Sequence, residues 1–145
     1  MRVRLITPFI LGIILCSSAC DKDVLIPSES LPSEIQAFVQ QHFPNQQIIQ
    51  SVKDRDGLSK TYDVWLNNSI SLEFNRKGEI MDIEGDVQLP DSVIPTKVLS
   101  FVKSNHPQHF ITGWERATGK GHKIELNNDL ELNFTAAGDF LRIDD

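Results

Sequence analysis

Cysteine is nearly absent from this sequence: the chain has two, Cys16 and Cys20, and none beyond them. Residues 21–145 therefore offer no disulfide, no thiol nucleophile and no cysteine-based metal site. Basic residues are also scarce, with 14 Lys and Arg against 20 Asp and Glu and a formal charge of −6. A surface of that sign repels a phosphate backbone, so nucleic acid is a poor partner. Histidine occurs only four times and tyrosine once, which leaves little equipment for acid–base chemistry. A long apolar run is missing as well: Leu5 to Leu15 falls short of the ~20 residues that span a bilayer.

What is present begins with an export signal. Arg2 and Arg4 form a positive start, Leu5 to Leu15 has the length of a signal core, and Cys16-Ser17-Ser18-Ala19-Cys20 resembles a bacterial lipobox. Cys20 suits lipidation better than Cys16, because the small Ala19 stands before it and Leu15 before the other. Residues 1–19 read as a lipoprotein signal peptide and residues 20–30 as a lipidated cysteine with a polar tether. Removing Arg2 and Arg4 from the 14 basic residues leaves 12 against 20 acidic ones, a charge of −8. The expected location is the cell envelope, anchored to the outer membrane and facing the periplasm. Asp21-Lys22-Asp23 resembles an acidic surface-export signal of Bacteroidetes lipoproteins, so the outer surface is the alternative.

The rest of the chain repeats itself. Tyr62-Asp63-Val64-Trp65-Leu66-Asn67-Asn68, Ile70-Ser71-Leu72-Glu73-Phe74 and Gly78 return as His122-Lys123-Ile124-Glu125-Leu126-Asn127-Asn128, Leu130-Glu131-Leu132-Asn133-Phe134 and Gly138. Each copy opens with an apolar pattern at helical spacing bounded by proline. Ile35, Phe38, Val39 and Phe43 lie between Pro32 and Pro44; Val98, Phe101 and Val102 lie between Pro95 and Pro107. Strand-like stretches follow, Gln47 to Lys53 and Phe110 to Glu115, an alignment that places Val52 opposite Trp114. Alternating segments then turn at Asn67-Asn68 and, after Phe74 and Phe134, at Gly78 and Gly138, where glycine supplies positive φ.

The spacing predicts an α+β fold: two tandem units, each one helix followed by a four-stranded antiparallel meander, sharing one sheet layer. The first unit covers 31–86, a linker 87–93, and the second unit 94–145. Asp91-Ser92-Val93 in the linker resembles the O-glycosylation signal of Bacteroidetes envelope proteins, with Ser92 as acceptor.

Leu31-Pro32, Phe38-Val39, Phe43-Pro44, Tyr62-Asp63-Val64, Asn67-Asn68, Leu72-Glu73-Phe74 and Gly78-Glu79-Ile80 together resemble the PepSY-like family of small Bacteroidetes lipoproteins, also described as β-lactamase-inhibitor-like. The resemblance implies tandem helix-plus-sheet units and a non-enzymatic, binding or inhibitory role. The second unit departs from the pattern at His122, where the first has tyrosine.

Candidate sites follow from side-chain chemistry. Alternation places Trp65 with Asp63, Ser71 and Glu73 on the wet face of the sheet, where an exposed indole suits an interface anchor. Lys123, Glu125 and Glu131 hold the equivalent second-unit positions. The expected function is an envelope-anchored, non-catalytic module that recognises a protein or peptide and in doing so regulates an envelope enzyme; no cofactor is called for. One rival is a metal-dependent hydrolase built on His106 and His109; another is a purely structural envelope protein. His42 and His122 read as half-buried rings, Tyr62 and Trp114 as core. Asp54-Arg55-Asp56-Gly57 opens like a calcium loop but lacks its later ligands. Asp82, Glu84 and Asp86 read as an acidic, solvated strand edge.

Overall fold

The computed structural model describes residues 23–54, 61–117, 119 and 121–144. The signal peptide, the lipidation site at Cys20 and Arg55-Asp56-Gly57 of the calcium-like loop lie outside the described residues.

Proline sets the helix limits as the sequence predicts. Helix α1 is Ser33–His42, entered from Pro32, and helix α2 is Thr96–Asn105, entered from Pro95. Each ends on a residue of nearly the same conformation, Phe43 at φ −130°, ψ 50° and His106 at φ −130°, ψ 52°, with proline next. Among the described residues no helix is long and apolar enough to cross a membrane.

The strands are β1 Val24–Leu25, β2 Ile48–Lys53, β3 Thr61–Leu66, β4 Ile70–Asn75, β5 Ile80–Gly85, β6 Ile111–Arg116, β7 His122–Leu126, β8 Glu131–Phe134 and β9 Phe140–Asp144. They form one antiparallel sheet whose spatial order is the chain order, β1 to β9. Helix α1 connects β1 to β2 and α2 connects β5 to β6, so the element order runs one helix, four strands, one helix, four strands, after the leading β1.

Both helices pack on the same face. Ile35, Val39, Phe43, Val98 and Val102 join Val64, Leu66, Leu72, Phe74, Ile83, Ile124, Leu126, Leu132 and Phe134 in one continuous core. Phe38 meets Phe74 edge-on at 5.4 Å and 83°, and Phe101 meets Phe134 at 5.4 Å and 83°. Strand alternation therefore drives the polar partners of these residues to the opposite face, which no helix among the described residues covers.

The structure revises several expectations. Part of the proposed tether is docked: Val24 and Leu25 pair with Lys53 and Val52, and the Ser51 hydroxyl donates to the Ile26 carbonyl at 2.7 Å. The linker is packed too, because Leu89 is buried and its N–H donates to the Ile111 carbonyl at 2.9 Å. Trp114 is equivalent to Ser51 rather than Val52. Ser51 opposes Val64 and Trp114 opposes Ile124, both after a register shift that adds a residue early in β2 and in β6. The residues in left-handed conformation after the Asn pairs are Ser69 (φ 63°) and Asp129 (φ 64°). Gly78 (φ 78°) and Gly138 (φ 80°) take positive φ as predicted. Finally, Asp82 and Glu84 are not on an edge: β6 pairs alongside β5, which is the middle of the nine strands found among the described residues.

Candidate functional site

The face away from the helices is written by cross-strand register. One row across it runs Gln50, Trp65, Ser71, Glu84, Gly113, Glu125, Glu131 and Asp144. The row beside it runs Val52, Asp63, Glu73, Asp82, Glu115, Lys123, Asn133 and Arg142. The two predicted patches are thus not separate. Trp65 and Ser71 are direct partners, as are Asp63 and Glu73, and Glu125 and Glu131, and all lie in the same two rows.

The sequence reading missed the residues that join them. Glu115 and Gly113 stand at the centre, and with Asp82 and Glu84 they close the gap between the halves. Gly113 leaves a dip at the middle of the face, where a Cβ would lie 3.0 Å from the Glu125 Cβ. A shallow depression of about 290 Å³ beside it is lined by Ser69, Ser71, Glu84, Gly85, Asp86 and Glu125. The only sequence signal was alternation in β5 and β6, which is unreadable across the 25 residues between the strands' facing ends without knowing that they pair.

Electrostatics follow from crowding like charges on a half-buried sheet. The Asp82 carboxyl is pushed up to about 7, first by burial and then by the charges of Glu84, Glu115 and Glu73. Asp63 is also raised, by burial and by Glu73 beside it. Lys123 answers part of this charge: its ammonium lies 3.0 Å from Glu115 and 3.4 Å from Glu131, and the hydrogen bond to Glu115 leads in raising its pKa. Trp65 is half-buried at the end of this field.

The remaining candidates lie elsewhere. His106 ends α2 with its ring 6.3 Å from that of Phe101, while His109 Nδ1 lies 3.1 Å from Asn127 Oδ1. Among the described residues no group of three or more His, Cys, Asp or Glu side chains is placed to hold a metal ion. His42 is half-buried, its pKa lowered by burial, and its Nδ1 lies 2.9 Å from the Ser92 hydroxyl. Ser92 is exposed in a short 3-10 turn, Asp91–Val93. Trp114 is 5% exposed and packs in the core, its ring 5.9 Å from that of His122. A groove of about 550 Å³ opens on the other side, between α1 and the start of β2, lined by Gln36, Gln40, Gln46 and Gln47 together with Val39 and Phe43. Among the described residues its lining holds one titratable side chain, Glu29.

Comparison with known proteins extends these observations. A periplasmic protein of unknown function from Bacteroides vulgatus is 30% identical, with a TM-score of 0.79, covering 86% of this chain and 100% of its own. A second periplasmic protein of that species is 27% identical, with a TM-score of 0.79, covering 87% and 99%. A protein of Bacteroides thetaiotaomicron described as calcium-regulated and periplasmic is 27% identical, with a TM-score of 0.80, covering 85% and 97%. No curated protein is significantly similar to the chain. The family model described as beta-lactamase-inhibitor-like, PepSY-like, matches residues 18–59 and 60–142. With nearly all of its length matched, and with the mixed helix and antiparallel-sheet architecture that goes with it, this chain belongs to the PepSY-like family.

Proposed function

We propose that this chain is a non-catalytic binding module of the bacterial envelope that recognises a protein or peptide on the helix-free face of its sheet. One observation carries the reading: Trp65 lies half-buried on that face, in register with Ser71, Glu84, Glu125 and Glu131, where an aromatic anchor is flanked by polar groups. A flat face rimmed by carboxylates suits a macromolecular contact better than a small molecule, which needs an enclosing cavity. The sign of the face selects a partner segment bearing Lys or Arg opposite Glu73, Asp82 and Glu84.

The matching caps of Phe43 and His106 and the identical Phe38–Phe74 and Phe101–Phe134 geometries support an origin by duplication of one helix-plus-meander unit. The lipobox-like Cys16 to Cys20 supports anchoring through lipid on Cys20, and the periplasmic descriptions of the similar structures support an outer-membrane protein facing the periplasm. The family's inhibitor-like description favours an envelope enzyme as the partner.

Crosslinking in intact cells followed by mass spectrometry of the captured protein tests the proposal. Trp65→Ala and Glu84→Lys should each deplete the same captured partner at unchanged protein level. Retention of every partner by both variants would remove the face from consideration.

A further inference from the structure

We propose that β9 is the contact strand of a two-fold dimer of this chain, joined by antiparallel pairing of β9 with its copy and centred on Ile143. The equivalent strands β5 and β9 differ in what lies beside them. Ile83 in β5 lies opposite Leu72 and is fully buried, because β6 pairs with β5 and lays Trp114 across it. Ile143 in β9 lies opposite Leu132 in the same manner, after the same kind of register shift, yet it is 45% exposed. Among the described residues no strand takes the place that β6 takes for β5.

The rest of the strand matches that vacancy. Leu141 is 57% exposed and Phe140 is 38% exposed, so three apolar side chains sit on one open edge. Open edges of native sheets are normally defended by lysine, proline or inward-pointing charge, because their free N–H and C=O groups template pairing. Strand β9 has no proline or lysine, and its two charges are of opposite sign.

Those charges identify the occupant. Arg142 Nε lies 2.7 Å from Asp144 Oδ1, and its terminal nitrogen donates to Asp144 Oδ2 at 3.0 Å; register with Asn133 and Glu131 puts both on the helix-free face. In an antiparallel pair centred on Ile143, residue 142 of each chain faces residue 144 of the other. Arg142 then meets Asp144 of the copy, and Asp144 meets its Arg142, giving four alternating charges while the two Ile143 side chains close on each other over the core. A partner strand of arbitrary sequence would not have this self-complementary order. The contact repeats at the sheet's edge the kind of antiparallel seam that the chain builds at its centre between β5 and β6. A five-residue edge buries less than the ~1,600 Å² of a standard interface, so association should fall in the micromolar range.

Sedimentation velocity of the full-length chain in non-ionic detergent, from ~1 to ~100 µM, tests the dimer. The wild type should rise from one to two chain masses across that range. Arg142→Asp, which sets Asp against Asp144 at both ends, should stay at one mass, and adding Asp144→Arg should bring association back with the charges reversed. Ile143→Lys, which opposes two ammonium groups at the axis, should also stay single, and serves if the double variant does not fold by circular dichroism. A wild type that remains single at the top concentration overturns the proposal. So does an Arg142→Asp or Ile143→Lys variant that associates like wild type, or a folded double variant that does not regain association.

Discussion

Asn67 and Gln47 hold each other by two hydrogen bonds: the Asn67 N–H donates to the Gln47 carbonyl at 3.0 Å, and the Gln47 N–H donates to Asn67 Oδ1 at 3.1 Å. Asn127 and Phe110 repeat both bonds at 3.0 and 3.1 Å. The first asparagine of each pair thus ties the segment that follows a helix to the hairpin beside it. Asn67→Ala should cost about 1 kcal/mol, the worth of one such bond, while Asn67→Asp keeps the acceptor and should recover most of it. Urea unfolding of the three proteins checks this, and equal midpoints for Ala and Asp would show that the side-chain oxygen is idle.

Gly78 combines two demands, a φ of 78° and a Cβ position 2.9 Å from the Glu34 Cβ on α1. Gly78→Ala should destabilise by about 1–3 kcal/mol, through backbone strain and displacement of the helix. Gly119, at φ 83° with nothing near its Cβ position, bears only the first demand, so Gly119→Ala should cost about 1 kcal/mol. Thermal melts of the pair separate the two contributions.

Asp82 makes stability depend on pH. Its carboxyl titrates near 3.8 when unexposed to the fold's neighbours and at about 7 in the native chain, so the native state binds the proton more tightly. The stabilisation is complete below about pH 3.8 and is lost as pH rises through about 7. Asp82→Asn stays neutral throughout, so its advantage over wild type should grow between those values. With solvent screening at a half-buried site allowed for, the gain should reach on the order of 1–2 kcal/mol. Denaturation at a series of pH values reads it directly, and a gap that does not change with pH would refute it.

Trp65 and Phe74 should respond in opposite ways. Phe74 is fully buried between the helices and the sheet, and Phe74→Ala should cost about 3–5 kcal/mol. Trp65→Ala, on the helix-free face, should cost less than half as much while removing the captured partner. A partner lost only in proportion to unfolding would tie Trp65 to stability instead.

Helix limits were legible because Pro32, Pro44, Pro95 and Pro107 act locally, and the strand faces because alternation in Tyr62 to Phe74 and His122 to Phe134 needs no tertiary information. Trp114 was legible as core, but its equivalence to Ser51 rather than Val52 was not, since one extra residue in β6 moves every later side chain to the other face. Asp82 and Glu84 looked like a solvated edge for a related reason. Their neighbour Glu115 comes from a strand beyond α2, and nothing local announces that β6 returns to β5. The docked β1 was hidden because two residues, Val24 and Leu25, are too few for any periodic signal.

A sheet whose spatial order is its chain order has a consequence for how the protein comes to exist. Each strand waits only for the one made just before it, and the two widest closures merely span a helix. Made from its amino end, the chain can therefore assemble progressively, each new hairpin laid against finished structure, with no early segment left idle for a late one to arrive.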